Sequence, residues 1–251
     1  MTFMDGTSMT PEPRAIWVVA EVAGDKVLPL SLEMVGGART MADGLGCYVH
    51  ALVAGGAESA AQELIAAGAD RVHLIEGVDA HHPELCRVLG DVLAAQLPEI
   101  LLFGATRLAE NIAPRLAQRF NTGLLTHCVS LQMDESERVL IGRRPVFDGE
   151  YYEIAVCPSA RPEIATVESE AFGPPYLDSY RFGETETITV DLAGLPGRVQ
   201  VSGPVEFTPL AVPLRKARRM PKPTRKPSRR RDPSAAFGWH SISQRWRRKR
   251  Q

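Results

Sequence analysis

The turn after a buried strand is the part of this sequence best placed to do chemistry. The stretch LLFGATRLAENIAPRLAQRF, residues 101–120, is an apolar run that stops at Gly104 and is followed at once by an amphipathic helix. The bare turn between them is Gly104-Ala105-Thr106. A helix N-terminus there offers free N–H groups and the positive end of the helix dipole, which together suit a phosphate. We therefore predict a nucleotide-like crevice at Gly104, Ala105 and Thr106.

Two other stretches are expected to join that crevice, because ligands of open parallel sheets bind at the carboxyl ends of strands. Gly55-Gly56 ends the second strand, and Glu21 ends the first. The alternative is that the small residues only let helix and strand pack closely, and the spacing alone favours this packing interpretation. No GxGxxG, GxxxxGK[ST] or GxSxG motif follows a strand.

Three further groups of polar residues carry weaker signals. His81-His82 begins a helix, but no other metal ligands are suitably spaced, so we interpret the pair as a solvated cap. Cys128 with His127 suggests a nucleophile and its base, yet neighbouring residues of a strand point to opposite faces. Arg143-Arg144 with Asp148 and Glu150 is either a polar cluster near a ligand or partner or ordinary surface charge. We predict no catalytic residue and no metal site.

Residues 15–123 alternate between apolar runs of strand length and amphipathic helices. This rhythm predicts an α/β fold with a Rossmann-like open parallel sheet and helices on both faces. Ser31 is a weak helix cap, Pro83 suits a first helical turn, and Pro114 is expected to kink its helix. The predicted strands are residues 15–21, 47–55, 70–77 and 99–104, and the predicted helices are residues 31–45, 57–68, 82–97 and 105–123.

After Gly123 the helices cease and short strands follow one another. We predict an antiparallel β extension made of residues 124–134, 138–147, 151–158 and 163–169, which could close one edge of the sheet. Residues 185–192 and 198–203 are two more strand-like pieces. The domain organisation is then a flexible N-terminus over 1–13, a nucleotide-fold domain over 14–205 and a basic tail over 206–251.

The net charge of −1 hides a sharp division along the chain. Residues 1–214 hold 14 basic and 29 acidic side chains, whereas residues 215–251 hold 15 basic side chains and one acidic side chain. Basic side chains and four interspersed prolines replace the periodic pattern in this tail, so we expect it to be disordered. Three interpretations stay open: translation out of frame, a basic arm for nucleic acid, or a solvated tail that pairs with its own acidic body.

The sequence also restricts where the protein works. No run of 18 apolar residues is present, so no membrane span is expected, and the first residues lack the pattern of a signal peptide. The four cysteines are Cys47, Cys86, Cys128 and Cys157, which are far apart and form no CxxC motif. Free thiols in a reducing cytoplasm are the expected state.

The order of the motifs adds information that spacing cannot supply. WVVAE (17–21), ARTMADGLGCYVHALVAG (38–55), AAGADRVHLIE (66–76) and LLFGATRLAENIAPRLAQRFNTGLLTHCVSL (101–131) resemble the amino-terminal domain of the electron transfer flavoprotein alpha subunit. RRPVF (143–147) and RPEIATVES (161–169) extend the likeness, which covers roughly residues 15–205.

The resemblance implies a function that the residues alone do not. An alpha subunit of this family pairs with a beta subunit, and the heterodimer carries FAD. It passes electrons from dehydrogenases to a membrane quinone oxidoreductase or to another acceptor. The flavin is held mainly by a second, carboxyl-terminal domain, so this chain alone is expected to bind FAD weakly or not at all. The turn at Gly104 would then be an inherited nucleotide-type turn that serves packing. A stand-alone nucleotide-binding or regulatory module is the alternative.

This chain departs from the family pattern in three places. Asp148-Gly149 stands where the family usually has a glycine pair, and Glu168-Ser169 stands where it tends to have Arg-Pro. The third departure is the largest. The flavin domain should begin near residue 210 with an apolar strand and a Gly-Gly-Arg-Gly turn, whereas this chain has LAVPLRKARRMPKPTRKPSRRR.

Overall fold

The computed structural model describes residues 15–55, 58–78, 82 and 84–190. The helices in these residues are α1 (Pro29–Leu45), α2 (Glu58–Ala67), α3 (Leu85–Gln96) and α4 (Arg107–Arg119). The strands are β1 (Ala15–Ala20), β2 (Val22–Ala23), β3 (Lys26–Val27), β4 (Tyr48–Ala54), β5 (Arg71–Glu76), β6 (Ile100–Gly104), β7 (Leu124–Cys128), β8 (Ser130–Asp134), β9 (Val139–Val146), β10 (Tyr151–Val156), β11 (Glu163–Val167) and β12 (Glu184–Thr189).

Seven of these strands form one sheet in the order β12-β5-β4-β1-β6-β11-β7. All of its neighbouring strands are paired parallel. Helices α1 and α2 cover one face, and helices α3 and α4 cover the other. The strands β8, β9 and β10 form a small antiparallel sheet, whose buried residues belong to the core on the α1 side. Within the described residues, no helix is both long enough and apolar enough to cross a membrane.

The predicted fold class is confirmed, and the first four predicted strands and helices are all present. The local signals at the helix ends were less accurate. Ser31 does not cap α1, because the capping position is Leu28 and Pro29 opens the helix. Helix α3 begins at Leu85 rather than at residue 82, and Pro83 lies outside the described residues. Helix α4 runs from Arg107 to Arg119 through Pro114.

The antiparallel extension is confirmed for β8, β9 and β10 but not for the strands on either side of them. The prediction that 124–134 is a single antiparallel strand is wrong, because β7 ends at Cys128 and is an edge strand of the parallel sheet. The prediction for 163–169 is also wrong, because β11 lies between β6 and β7 and is parallel to both. Every residue of β11 is buried, as expected for an inner strand of a parallel sheet that is covered on both faces.

The segment of residues 168–183 connects β11 to β12, which pairs with β5 at the opposite edge of the sheet. We call it the crossover segment. It passes over α1 and α2, and two glycines of α1 make room for it: a Cβ at Gly37 would lie 2.2 Å from Cγ of Phe172, and one at Gly36 would lie 3.2 Å from Cβ of Pro175. The predicted strand 198–203, the domain boundary at 205/206 and the basic tail lie outside the described residues.

The close approach at Gly37 predicts a measurable loss of stability. Replacing Gly37 with alanine forces the Phe172 ring to move, and we expect the free energy of unfolding to fall by about 1–3 kcal/mol. Gly44→Ala is the matched control in the same helix, because its Cβ would meet only the flexible end of Glu135. Both variants gain the same helix propensity, so chemical denaturation should show a lower midpoint for Gly37→Ala alone. Equal midpoints would contradict the packing described here.

Candidate functional site

The turn Gly104–Thr106 lies where the strand order of the sheet reverses. Strand β1 is central, β4 and β5 follow on one side of it, and β6 lies on the other side. The carboxyl ends of β1 and β6 therefore flank the crevice where open α/β sheets bind their ligands. Glu21 is the first residue after β1, and it lies beside Thr106 as the sequence indicated.

The Glu21 carboxylate is hydrogen-bonded to the residue that caps helix α4. The hydroxyl of Thr106 donates a hydrogen bond to Oε1 of Glu21 at 2.5 Å, and it accepts one from the backbone N–H of Ala109 at 3.2 Å. Thr106 is thus the N-cap of α4. The backbone of Glu21 is held in turn, because its N–H donates to Oγ of Ser31 at 2.8 Å. The positive end of the helix dipole stabilises a carboxylate in this position.

The backbone of the turn is used within the protein. The N–H of Ala105 donates to the carbonyl of Val167 at 2.7 Å, and the N–H of Thr106 donates to the carbonyl of Gly104 at 2.8 Å. Gly104 itself packs tightly, since a Cβ there would lie 2.7 Å from Cδ2 of Leu30. The absence of a side chain at Gly104 therefore lets the first turn of α1 approach β6.

These contacts do not suit the phosphate of a nucleotide or of FAD. The carboxylate of Glu21 is hydrogen-bonded to the N-cap residue of α4, and its negative charge disfavours a phosphate at this helix end. The neighbouring cavity measures about 20 Å³, has mostly apolar walls and has room for about one water molecule. Gly55 donates its N–H to the carbonyl of Ile75, and Gly56 lies outside the described residues. The geometry supports the packing interpretation, and nucleotide binding at Gly104–Thr106 stays a prediction.

The side chains of His127 and Cys128 lie in different surroundings. His127 is half-exposed, and its Nδ1 lies 2.7 Å from Oε1 of Glu168 and its Nε2 3.5 Å from Oε1 of Glu110. Cys128 is only 2% exposed, and burial raises the pKa of its thiol to about 11. A thiol that stays protonated is a poor nucleophile. The acidic residue that departs from the family pattern, Glu168, therefore has His127 as its partner.

The polar residues around 143–150 have separate partners. Nε of Arg144 lies 2.6 Å from Oε2 of Glu153 on the neighbouring strand. The guanidinium of Arg143 lies over the ring of Tyr152, 3.7 Å from its centre. These arginines are therefore part of the cross-strand packing of β9 and β10. The two acidic residues of the group lie in the turn between those strands: Asp148 and Glu150.

The remaining candidates make ordinary local contacts. Nδ1 of His82 accepts a hydrogen bond from the backbone N–H of Glu84, just before α3, and His81 lies outside the described residues. Within the described part of the chain, no group of three His, Cys, Asp or Glu side chains is arranged to hold a metal ion. The four thiols are free, and three of them are buried.

The sequence did not reveal a buried aromatic cluster on the α3 face of the sheet. The ring of His73 stacks on Trp17, with 4.6 Å between the ring centres, and its Nε2 lies 3.2 Å from Nδ1 of His50. On the other side, Nδ1 of His73 lies 3.1 Å from Oε2 of Glu186. The cluster joins β12 to the inner strands. In the sequence, the feature that marks this cluster is one histidine in each of two apolar strands.

Fold and site together define a class of protein: a Rossmann-like α/β domain in which Glu21 and Thr106 are hydrogen-bonded to each other at the carboxyl end of the central strands. The sequence model of the electron transfer flavoprotein domain matches residues 16–193. The chain belongs to this family and resembles its alpha-type members.

Three relatives illustrate the likeness. The electron transfer flavoprotein subunit alpha of Megasphaera elsdenii is 32% identical over 177 residues, which cover 69% of this chain and 52% of that protein. That of Clostridium acetobutylicum is 34% identical over 163 residues, 63% of this chain and 48% of its own. Protein FixB of Clostridium saccharobutylicum is 33% identical over 162 residues, again 63% and 48%. The chain thus spans about half the length of these relatives.

The cap at Thr106 predicts a selective loss of stability. Thr106→Val removes both the bond to Glu21 and the bond from Ala109, so we expect the free energy of unfolding to fall by about 1–2 kcal/mol. Thr106→Ser keeps the hydroxyl and should lose much less. Urea denaturation of both variants tests this, and equal losses would mean that the hydroxyl does not stabilise the turn.

Proposed function

We propose that this chain is the alpha-type subunit of an electron transfer flavoprotein. In this role it pairs with a beta subunit and passes electrons from dehydrogenases to a quinone oxidoreductase or another acceptor through FAD. It acts as an electron carrier, and its own side chains transform no substrate. The observation that carries the proposal is the family match over residues 16–193, which spans nearly all of the described fold.

The flavin is proposed to be held by the complex rather than by the described residues. The carboxyl end of the sheet, where related folds bind their ligands, carries Glu21 and its hydrogen bond to Thr106, which supports this assignment. The chemistry that FAD supplies when bound is the reversible uptake of electrons. The described domain would then serve as a scaffold and as a surface for the partner subunit. We also propose a cytoplasmic location, because a reducing compartment keeps its four thiols free.

The crossover segment offers the best candidate surface for the partner. Three of its aromatic side chains, Tyr176, Tyr180 and Phe182, are 85–96% exposed. The segment is nevertheless anchored, since the N–H of Asp178 donates to the carbonyl of Ala66. Exposed aromatic rings on an anchored backbone lose little conformational freedom on binding, and such rings are enriched in protein interfaces. We therefore propose that the beta subunit contacts this segment.

The proposed role predicts that flavin retention depends on the partner. Purified alone with added FAD, the chain should lose the visible absorbance of oxidised flavin on gel filtration. Co-expressed with a beta-type subunit from the same genome, it should elute as a heterodimer, and any flavin should appear only in that peak. Stoichiometric flavin on the isolated chain would overturn the assignment of FAD to the complex. Failure to form a heterodimer would overturn the subunit role.

The proposed surface predicts that two aromatic residues support the heterodimer. Replacing both Tyr180 and Phe182 with serine should weaken binding to the beta subunit by at least about tenfold, measured by titration calorimetry. The matched control is the double replacement of Phe147 and Tyr151 with serine, since these rings are also exposed but lie on the β9–β10 hairpin. If the control weakens binding and the test variant does not, the interface lies on the hairpin.

A further inference from the structure

Strand β12 is an edge of the seven-stranded sheet that the described residues leave open. It pairs with β5 and, within those residues, with no other strand. Five of its six residues are exposed, and the remaining one, Ile188, is partly buried. An open edge strand carries a row of unpaired N–H and C=O groups, with which a strand of another chain can pair.

The open backbone groups belong to alternate residues of β12. The N–H of Glu184 donates to the carbonyl of Asp70 at 2.9 Å, so the backbone of Glu184 is directed toward β5. Backbone groups alternate in direction along a strand, so those of Glu186 and Ile188 are also directed toward β5. The three residues between and after them direct their N–H and C=O groups to the open edge: Thr185, Thr187 and Thr189. An added strand would bond to these threonines without disturbing the bonds to β5.

The start of β12 is fixed by the chain itself. Nη2 of Arg181 lies 2.7 Å from Oδ1 of Asp70, in the loop before β5. A Cβ at Gly183 would lie 2.9 Å from Cγ1 of Ile65, so the absence of a side chain lets the chain enter β12 close to α2. An edge that is held in place loses little conformational freedom when a strand is added to it.

The two faces of β12 differ in charge. Glu184 and Glu186 lie on the α3 side, because their register partner residues in β5 include His73 of the aromatic cluster. Oε2 of Glu184 lies 2.7 Å from Nη2 of Arg71, and Oε2 of Glu186 lies 3.1 Å from Nδ1 of His73. In the described part of the chain, Oε1 of both carboxylates has no hydrogen bond. These side chains are 74% and 54% exposed, so a neighbouring strand can reach them.

The two carboxylates specify the charge of the strand that fits beside β12. Cross-strand neighbours of opposite charge stabilise a sheet, and like charges side by side destabilise it. A second copy of β12 paired antiparallel would place its own glutamates on the same face as Glu184 and Glu186. A strand with Lys or Arg at alternate positions would instead place cations beside their Oε1 atoms.

We propose that the beta subunit adds a strand to the open edge of β12, and that this strand carries Lys or Arg at alternate positions on the α3 side. The added strand rests on the proposed subunit role, since the beta subunit is its source. Tyr180 and Phe182, the aromatic residues of the proposed partner surface, lie just before β12, so one partner segment can contact both. In strand addition the main chain supplies the affinity and alternate side chains supply the specificity.

Hydrogen exchange at single amides tests the added strand. In the isolated chain the amides of Glu186 and Ile188 should be protected by β5, and those of Thr185, Thr187 and Thr189 should exchange freely. In the heterodimer with a beta-type subunit from the same genome, exchange of the three threonine amides should slow by at least about tenfold. A partner that packed only on a face of β12 would not produce this alternation.

A proline at the open edge should block the added strand. Thr187→Pro removes an N–H that β5 does not use, so the chain should fold and bind the beta subunit at least about tenfold more weakly. Thr187→Val is the matched control, because it keeps the N–H and nearly the same volume, and it should bind like the unaltered chain.

Removing the two charges tests the chemistry of the partner strand. Replacing both Glu184 and Glu186 with glutamine should weaken binding about fivefold. The matched control replaces Glu135 and Glu137 with glutamine, since these are exposed carboxylates of the β8–β9 turn. The control should bind like the unaltered chain, and equal binding by both double variants would overturn the basic strand.

The outcomes separate the added strand from the subunit role. If no heterodimer forms, both are overturned. A heterodimer in which the threonine amides still exchange freely overturns the added strand alone, as does equal binding by Thr187→Pro and Thr187→Val. Threonine amides already protected in the isolated chain also overturn it, because the chain itself or a second copy would then cover the edge. If Thr187→Pro fails to fold, the exchange pattern of the unaltered chain decides.

Discussion

All neighbouring strands of the seven-stranded sheet run parallel, and most of the structure follows from that constraint. A parallel neighbour cannot be reached by a tight turn, so each connection has to pass over a face of the sheet. Helices make the early connections. Between β7 and β11 the small antiparallel sheet makes the connection, and between β11 and β12 the crossover segment makes it. These two insertions therefore also cover the α1 side, on which Leu131 and Leu140 join the main core.

Polar side chains form hydrogen-bonded groups at both ends of the sheet, and the two groups hold different segments together. At the carboxyl end, Glu21 and Thr106 close the crevice that related folds use for ligands. At the amino end, Glu99 and Glu163 anchor the small sheet through Arg138 and Arg161. Polar groups inside an apolar core are costly when unpaired, so each pair also specifies which segments meet. Between the two ends, the apolar side chains of the strands form the packed core.

The sequence was sufficient for the elements that are locally regular. Long apolar runs and helical periodicity marked β1, β4, β5, β6 and their helices, and the rule for strand ends brought Glu21 to Thr106. It was not sufficient for β7 and β11, because short strands without helices between them look like an antiparallel meander. The place of β11 is set by burial on both of its faces. Contacts over long separations, such as Arg138 with Glu99, leave little local pattern beyond an acidic residue before an apolar strand.

The carboxylate of Glu21 determines how the start of α4 is completed. In a domain that relies on a bound nucleotide, the helix end is completed only when the ligand arrives, so folding and ligand supply are linked. Here the anion beside the helix end is the carboxylate of Glu21, which belongs to the same chain and is therefore always present. The end of α4 in the described fold is therefore completed by a side chain of the same chain.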